Sequence, residues 1–148
     1  VLNYNPKASV LRTNFFGATA SGDHSLLDYL VAKFQHNQSL IGFADVNFSP
    51  IGVAELARRI LEISSIELPG LVNAAGPESI TKYDFALAVA DRLSAPKSLI
   101  SRGLAADANL KSRRPNYLNL DSSKLANLLR KTDISLDEMI TQELTQTI

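Results

Sequence analysis

Ser9-Val10-Leu11-Arg12-Thr13-Asn14-Phe15-Phe16-Gly17 reads as a buried strand that stops at a glycine, and its surroundings decide the fold. Its apolar and β-branched residues suit the pleated surface of a sheet. Just beyond it, Gly22, Asp23 and Ser25 supply loop and helix-start chemistry. Leu27, Leu30, Val31 and Phe34 then recur at helical spacing, and Asn37 with Gln38 marks the exit. A strand that hands over to an amphipathic helix is the repeating element of α/β architecture.

The alternation continues downstream. Leu40-Ile41-Gly42-Phe43 is a short strand, and Asp45 to Pro50 is expected to be an irregular connection, because its proline would break either element. Val53, Leu56, Ala57, Ile60 and Ile63 define a second amphipathic helix, with Glu55, Arg58, Arg59 and Glu62 expected on the opposite, solvated face. Pro69-Gly70 is turn chemistry, and the strand from Leu71 to Ala75 stops at Gly76-Pro77. Thr81 with Asp84 resembles a capping box opening a helix through Phe85, Val89 and Leu93, with Pro96 beyond its end. Residues 98–117 have no clean period and carry Arg102, Lys111, Arg113 and Arg114, the pattern of an extended, basic connection long enough to suggest a functional use. Asp121-Ser122-Ser123 can cap a short helix carrying Leu125, Leu128 and Leu129. Ser135 with Glu138 forms another capping box, ahead of Met139, Ile140 and Leu144. The expectation is one α/β domain over residues 1–148, with mostly parallel strands and flanking helices.

Composition narrows the function classes. The 148 residues, 45% of them hydrophobic, suffice for one sizeable core. Fifteen basic residues balance fifteen acidic ones, so no whole-molecule field would draw the chain to nucleic acid or an anionic membrane. Without cysteine there are no disulfides, thiolate nucleophiles or cysteine-based zinc sites, which fits a cytoplasmic protein. The apolar stretch Leu26 to Phe34 is broken by Asp28 and Lys33 and falls short of the ~20 residues of a membrane helix; no signal or transit segment is visible. The chain opens at Val1 and enters a strand within a few residues, which suggests a piece of something longer.

Several chemistries lack their motifs. The seven glycines are isolated, so neither a dinucleotide fingerprint nor a P-loop is present. His24 and His36 have no acidic ligand spacing around them, and no metal site is expected. No G-x-S-x-G elbow occurs. A tyrosine with a lysine four residues on can form a proton-donating dyad. Tyr4 misses that spacing with Lys7, and the chain is expected to supply no such dyad and no catalytic residue.

Four segments together carry a resemblance. They are Val10 to Gly17; Phe43 to Ile51, with Ser49-Pro50-Ile51 at its end; Asn73 to Ala86, with Gly76-Pro77; and Arg113 to Leu125, opening on Arg113-Arg114-Pro115. In this order and spacing, from about Ala8 to Leu129, they resemble the C-terminal half of the dTDP-4-dehydrorhamnose reductase family, a branch of the extended short-chain dehydrogenases. The resemblance implies a Rossmann half upstream of Val1, carrying the glycine fingerprint and a Tyr-x-x-x-Lys dyad. It further implies NADPH or NADH for the complete enzyme, with no cofactor held by this chain alone, and a 4-keto deoxysugar nucleotide as substrate.

Carried over residue by residue, the resemblance puts Asn14 and Phe15 against the substrate, an amide for sugar hydroxyls and a ring for the sugar's apolar face. His24 and Ser25 stand at a helix start that favours a diphosphate. Ser49 and Pro50 border the pocket, with Ile51 where the family often has threonine. Arg114 can take a phosphate through two hydrogen bonds. Bland alternatives stand beside these: Phe15 and Phe16 as core residues, Ser25 as a plain N-cap, Arg114 in a salt bridge. At the level of the whole protein, the reductase reading is accompanied by two others, a non-catalytic regulatory or binding subunit, and a lone domain whose uncovered apolar surface makes homodimers.

Overall fold

The computed structural model describes residues 1–19, 25–108, 115–129 and 134–145. The expectations placed on Gly22, Asp23, His24, Lys111, Arg113 and Arg114 lie outside the described residues.

The opening strand divides in two. Its first part, β1 (Ser9–Arg12), runs parallel to β6 (Gly70–Asn73), with Val10 opposite Leu71 and Leu11 opposite Val72. Its second part, β2 (Phe15–Phe16), leaves that pair and runs parallel to β5 (Ile51–Gly52). The chain changes partner at Thr13-Asn14 because its two ends serve two cores. Leu11 packs against a small cluster of Ile63, Val72, Ala74 and Leu125, while Phe16 enters the main core. There Phe85 receives Phe16 and Phe48 edge-on, with ring centroids 5.0 and 5.4 Å away.

The helices close the main core. Helix α1 (Leu26–Gln35) buries Leu27, Leu30, Val31 and Phe34, the stripe read from the sequence. Helix α3 (Lys82–Arg92) starts at Thr81, whose hydroxyl accepts from Asp84 N at 3.0 Å, and buries Phe85 and Val89. Helix α5 (Leu136–Thr145) starts at the Ser135/Glu138 capping box and buries Met139, Ile140 and Leu144. Helix α4 (Ser123–Leu129) turns Leu125 into the smaller core.

Strand β3 (Leu40–Phe43) pairs in parallel with β8 (Ile100–Gly103), which follows a 3₁₀ turn over Lys97–Leu99, so part of the expected basic connection is a strand. The expected irregular stretch before Pro50 likewise contains β4 (Asn47–Phe48). It sits between antiparallel β7 (Ile80–Thr81) and parallel β9 (Tyr117–Leu118). Pro50 does not interrupt β4, because it falls in the link before β5, where no ladder hydrogen bond is required of it. Four of these five pairings are parallel, as expected of the α/β class.

Helix α2 (Val53–Ser64) follows the expectation only in part: Leu56 and Ile63 pack inward as read, but two of the four charges do so as well. Glu55 and Arg59 are buried with Ile63, while Val53, Ala57 and Ile60 lie exposed. Burial is tolerated because the charges satisfy each other: Arg59 Nε donates to Glu55 Oε1 at 2.8 Å and a second guanidinium nitrogen donates to Ala75 O at 3.0 Å. Among the described residues no helix is long and apolar enough to cross a membrane.

Candidate functional site

Residues 116–122 form a strap that runs beside β4 as β9 and then past the carboxyl ends of β1 and β6, tied down mainly by side chains rather than by a long ladder. The Asn116 amide donates to Asp45 Oδ2 at 3.1 Å, and Asn116 O accepts from Asn47 N at 2.8 Å. The Asn14 amide donates to Leu118 O at 2.6 Å. Ser49 Oγ accepts from Leu120 N at 3.3 Å, and the Asn73 amide donates to Asp121 O at 2.8 Å. Ser122 Oγ donates to Ala75 O at 3.1 Å, so that carbonyl takes both the strap and Arg59. Two lone pairs on one carbonyl therefore join α2, the end of β6 and the strap.

Two surfaces flank this strap. Phe15 and Tyr117 stand next in sequence to the two residues of the Asn14–Leu118 hydrogen bond, and they are 64% and 81% exposed. Large aromatic rings so open to water, beside the carboxyl end of a parallel strand, make an uncovered platform. A cavity of about 390 Å³ lies along the strap, lined by Ser49, Gly76, Pro77, Asn119, Asp121 and Ser122. Gly76 is required there, since a Cβ on it would stand 1.9 Å from Pro50 O. Pro50 is buried directly behind that wall.

The sequence matches the model of the RmlD substrate binding domain over residues 1–146. The chain belongs to that family. Its structure is similar to that of a dTDP-4-dehydrorhamnose reductase from Bacillus anthracis in complex with NADP (TM-score 0.82, 16% identity, covering 93% of this chain and 48% of that one). It is similar too to the dTDP-4-dehydrorhamnose reductases of Clostridium acetobutylicum (TM-score 0.83, 16% identity, covering 97% and 50%) and Yersinia enterocolitica (0.80, 17%, 95% and 50%). At such identities the likeness is one of fold, and the chain spans about half the length of these structures. No curated protein sequence matches it.

Within this substrate-binding domain, Asn14, Ser49 and the neighbours Phe15 and Pro50 come together around the strap, whereas Ser25 does not enter it. Ser25 is the N-cap of α1: its hydroxyl accepts from Asp28 N at 2.9 Å, and Asp28 Oδ2 accepts from Ser25 N at 3.2 Å. Thr19 adds its hydroxyl to Asp28 Oδ2 at 2.6 Å. Burial alone would raise the Asp28 pKa, but the hydrogen bonds from Thr19 and Ser25 outweigh it and hold the carboxyl below its ordinary value. The anion favoured by this helix start is thus already supplied by Asp28. His24 and Arg114 lie outside the described residues.

Three features escaped sequence reasoning. One Tyr-x-x-x-Lys spacing does occur, at Tyr29 and Lys33 on α1, which corrects the expectation that the chain has none. Lys33 Nζ sits 5.7 Å from the Tyr29 ring centroid and donates to Gln38 Oε1 at 3.0 Å, the arrangement of a surface cation–π pair. Glu143, buried on α5, accepts from Ala54 N at 2.8 Å and so caps α2 from another helix. Asp45 holds Ala105 N at 2.8 Å as well as Asn116. The capping and clamping bonds join residues 60 to 89 positions apart, beyond the reach of any local spacing rule. Among the described residues no group of three or more His, Cys, Asp or Glu could hold a metal ion.

Proposed function

We propose that this domain is the sugar-nucleotide-binding half of an NAD(P)H-dependent reductase acting on a 4-keto deoxysugar nucleotide. The observation that carries the reading is the exposed pair Phe15 and Tyr117, set beside the Asn14–Leu118 bond at the carboxyl end of a parallel strand in a domain of a substrate-binding family. Ring faces offer a sugar or base a flat apolar surface, and the carboxyl ends of such strands are where α/β folds take ligands. In this reading Phe15 packs on the substrate, Asn14 and Ser49 shape its wall through the strap, and Pro50 backs that wall. The diphosphate is assigned to the guanidinium of Arg114 rather than to Ser25, because Asp28 already fills the electrostatic role at the start of α1.

The complete protein would be about twice as long, with the N-terminal half holding NADPH or NADH and the proton-donating tyrosine. The nicotinamide supplies the hydride when bound; this domain's share is to orient the sugar and exclude water around it. The open edge of β1 and the apolar outer stripe of α2 are the surfaces on which that half would pack. A cytoplasmic location goes with this reading.

Titration of the complete protein with dTDP-glucose, followed by NADPH oxidation with a 4-keto sugar nucleotide, tests it. Phe15→Ala is expected to weaken dTDP-glucose binding roughly tenfold with the fold intact, as loss of one stacked ring implies. Binding without turnover would point instead to the regulatory-subunit reading. If dTDP-glucose does not bind, the nucleotide-sugar reading fails.

A further inference from the structure

Asp45 has no part in the surfaces just assigned, yet its carboxylate is where two distant pieces of the chain are joined. One oxygen accepts from Ala105 N at 2.8 Å, just after β8, and the other accepts from the Asn116 amide at 3.1 Å, where the strap begins. The neighbouring backbone repeats the tie, with Asn47 N donating to Asn116 O at 2.8 Å and Ala44 N to Gly103 O at 2.9 Å. A carboxylate is acceptor-only and can serve two donors at once, and charge-assisted bonds of this kind are the stronger ones.

We infer that Asp45 is a positioning residue for nucleotide-sugar binding, a clamp that fixes the head of the strap and with it the placement of Tyr117 and the strap's cavity-lining residues. The inference rests on the nucleotide-sugar reading above. Beyond Asn116 the strap is held by the two-residue pairing of β9 with β4 and by single side-chain hydrogen bonds of Asn14, Ser49, Asn73 and Ser122. At its head, the side-chain tie to Asp45 joins the backbone bond from Asn47 N in setting where Tyr117 enters β9. Losing it leaves the core packing of β4 untouched, since Phe48 anchors that strand to Phe85.

The test is a reciprocal swap in the complete protein. In Asn116→Asp two acceptor-only carboxylates face each other across the former bond, which breaks the tie, and in Asp45→Ala its acceptor is removed. In the double variant Asp45→Asn/Asn116→Asp the donor and acceptor are exchanged and the tie is rebuilt. Calorimetric titration with dTDP-glucose is expected to show binding about tenfold weaker for Asn116→Asp and Asp45→Ala, with near-parental binding restored in the double variant. Amide hydrogen exchange at Ala105 is expected to speed up in Asp45→Ala and to return to the parental rate in the double variant. If the parent binds and both single variants bind equally well, or if the swap rescues exchange but not binding, the positioning role is overturned while the nucleotide-sugar reading stands. If the parent itself does not bind dTDP-glucose, that reading falls and takes the role with it, and the exchange data then report the clamp as purely structural.

Discussion

The side chain on which most of the site's geometry depends is Arg59, only 2% exposed, paired with Glu55 and bonded to the carbonyl that also receives Ser122. Arg58 reinforces the pair from outside by donating to both Glu55 and Glu62. Burial raises the Glu55 pKa, but the hydrogen bonds and charges of Arg58 and Arg59 outweigh it and hold the carboxyl below its ordinary 4.5. A group whose folded pKa is depressed contributes stability that is fully present above its unfolded value and is lost as pH falls through the folded one. Stability from Glu55 is therefore expected to be complete above pH 4.5 and to decline below it. Glu55→Gln should cost about 3–5 kcal/mol at neutral pH, the range for breaking a buried ion pair, and should flatten the acid limb. Urea denaturation across pH checks both; a variant as stable as the parent would mean that Arg59 is held by Ala75 O without its carboxylate. Sequence reading missed this pair because a charge on a helix is ordinarily solvated, and nothing local announces that Ala75 supplies a buried acceptor.

At the scale of elements, α1, α3 and α5 were legible because each combines a side-chain cap with an apolar stripe, two signals that agree. Thr81 illustrates the first: its hydroxyl satisfies the otherwise orphaned Asp84 N–H. Thr81→Ala should lower stability by about 1 kcal/mol, while Thr81→Ser should be nearly neutral, as thermal unfolding would report. Equal losses in both variants would assign the effect to the threonine methyl rather than to the cap. The strands were harder to read. β2, β4, β5, β7 and β9 have two residues each, too short to display an alternation of period two, and their pairing is decided by partners far along the chain. For the same reason the sequence put Asn14 and Ser49 forward without showing their bonds. Their partners Leu118 and Leu120 lie 104 and 71 positions away, and only the fold shows that the amide and hydroxyl hold the strap.

For the whole molecule, the question is what the uncovered surfaces of this domain are for. Among the described residues β1 pairs only with β6, so its other edge presents unpaired backbone groups. A two-stranded sheet alone is marginal in water. Close to it in sequence order, α2 turns Val53, Ala57 and Ile60 outward at helical spacing, Ile60 being 45% exposed, and Leu61 beside them is 71% exposed. An apolar stripe facing water on a helix that buries Glu55 and Arg59 is the reverse of a solvated surface, and it gains most if another layer covers it. The N-terminal half proposed above would extend the sheet at β1 and cover the stripe at once. Residues 1–148 alone are then expected to self-associate as concentration rises, and to form a one-to-one complex when the N-terminal half is supplied in trans. Ile60→Asp should leave the helix in place, since its side chain contributes to neither core. It should weaken both associations tenfold or more, the effect of burying a charge where roughly 1.5–3 kcal/mol of apolar burial was available. Sedimentation equilibrium distinguishes the outcomes. A parent that stays monomeric at high concentration and ignores the N-terminal half would mean the stripe is an ordinary surface. An effect of Ile60→Asp on self-association alone would assign α2 to a homodimer contact and leave the β1 edge as the only candidate seam between the halves.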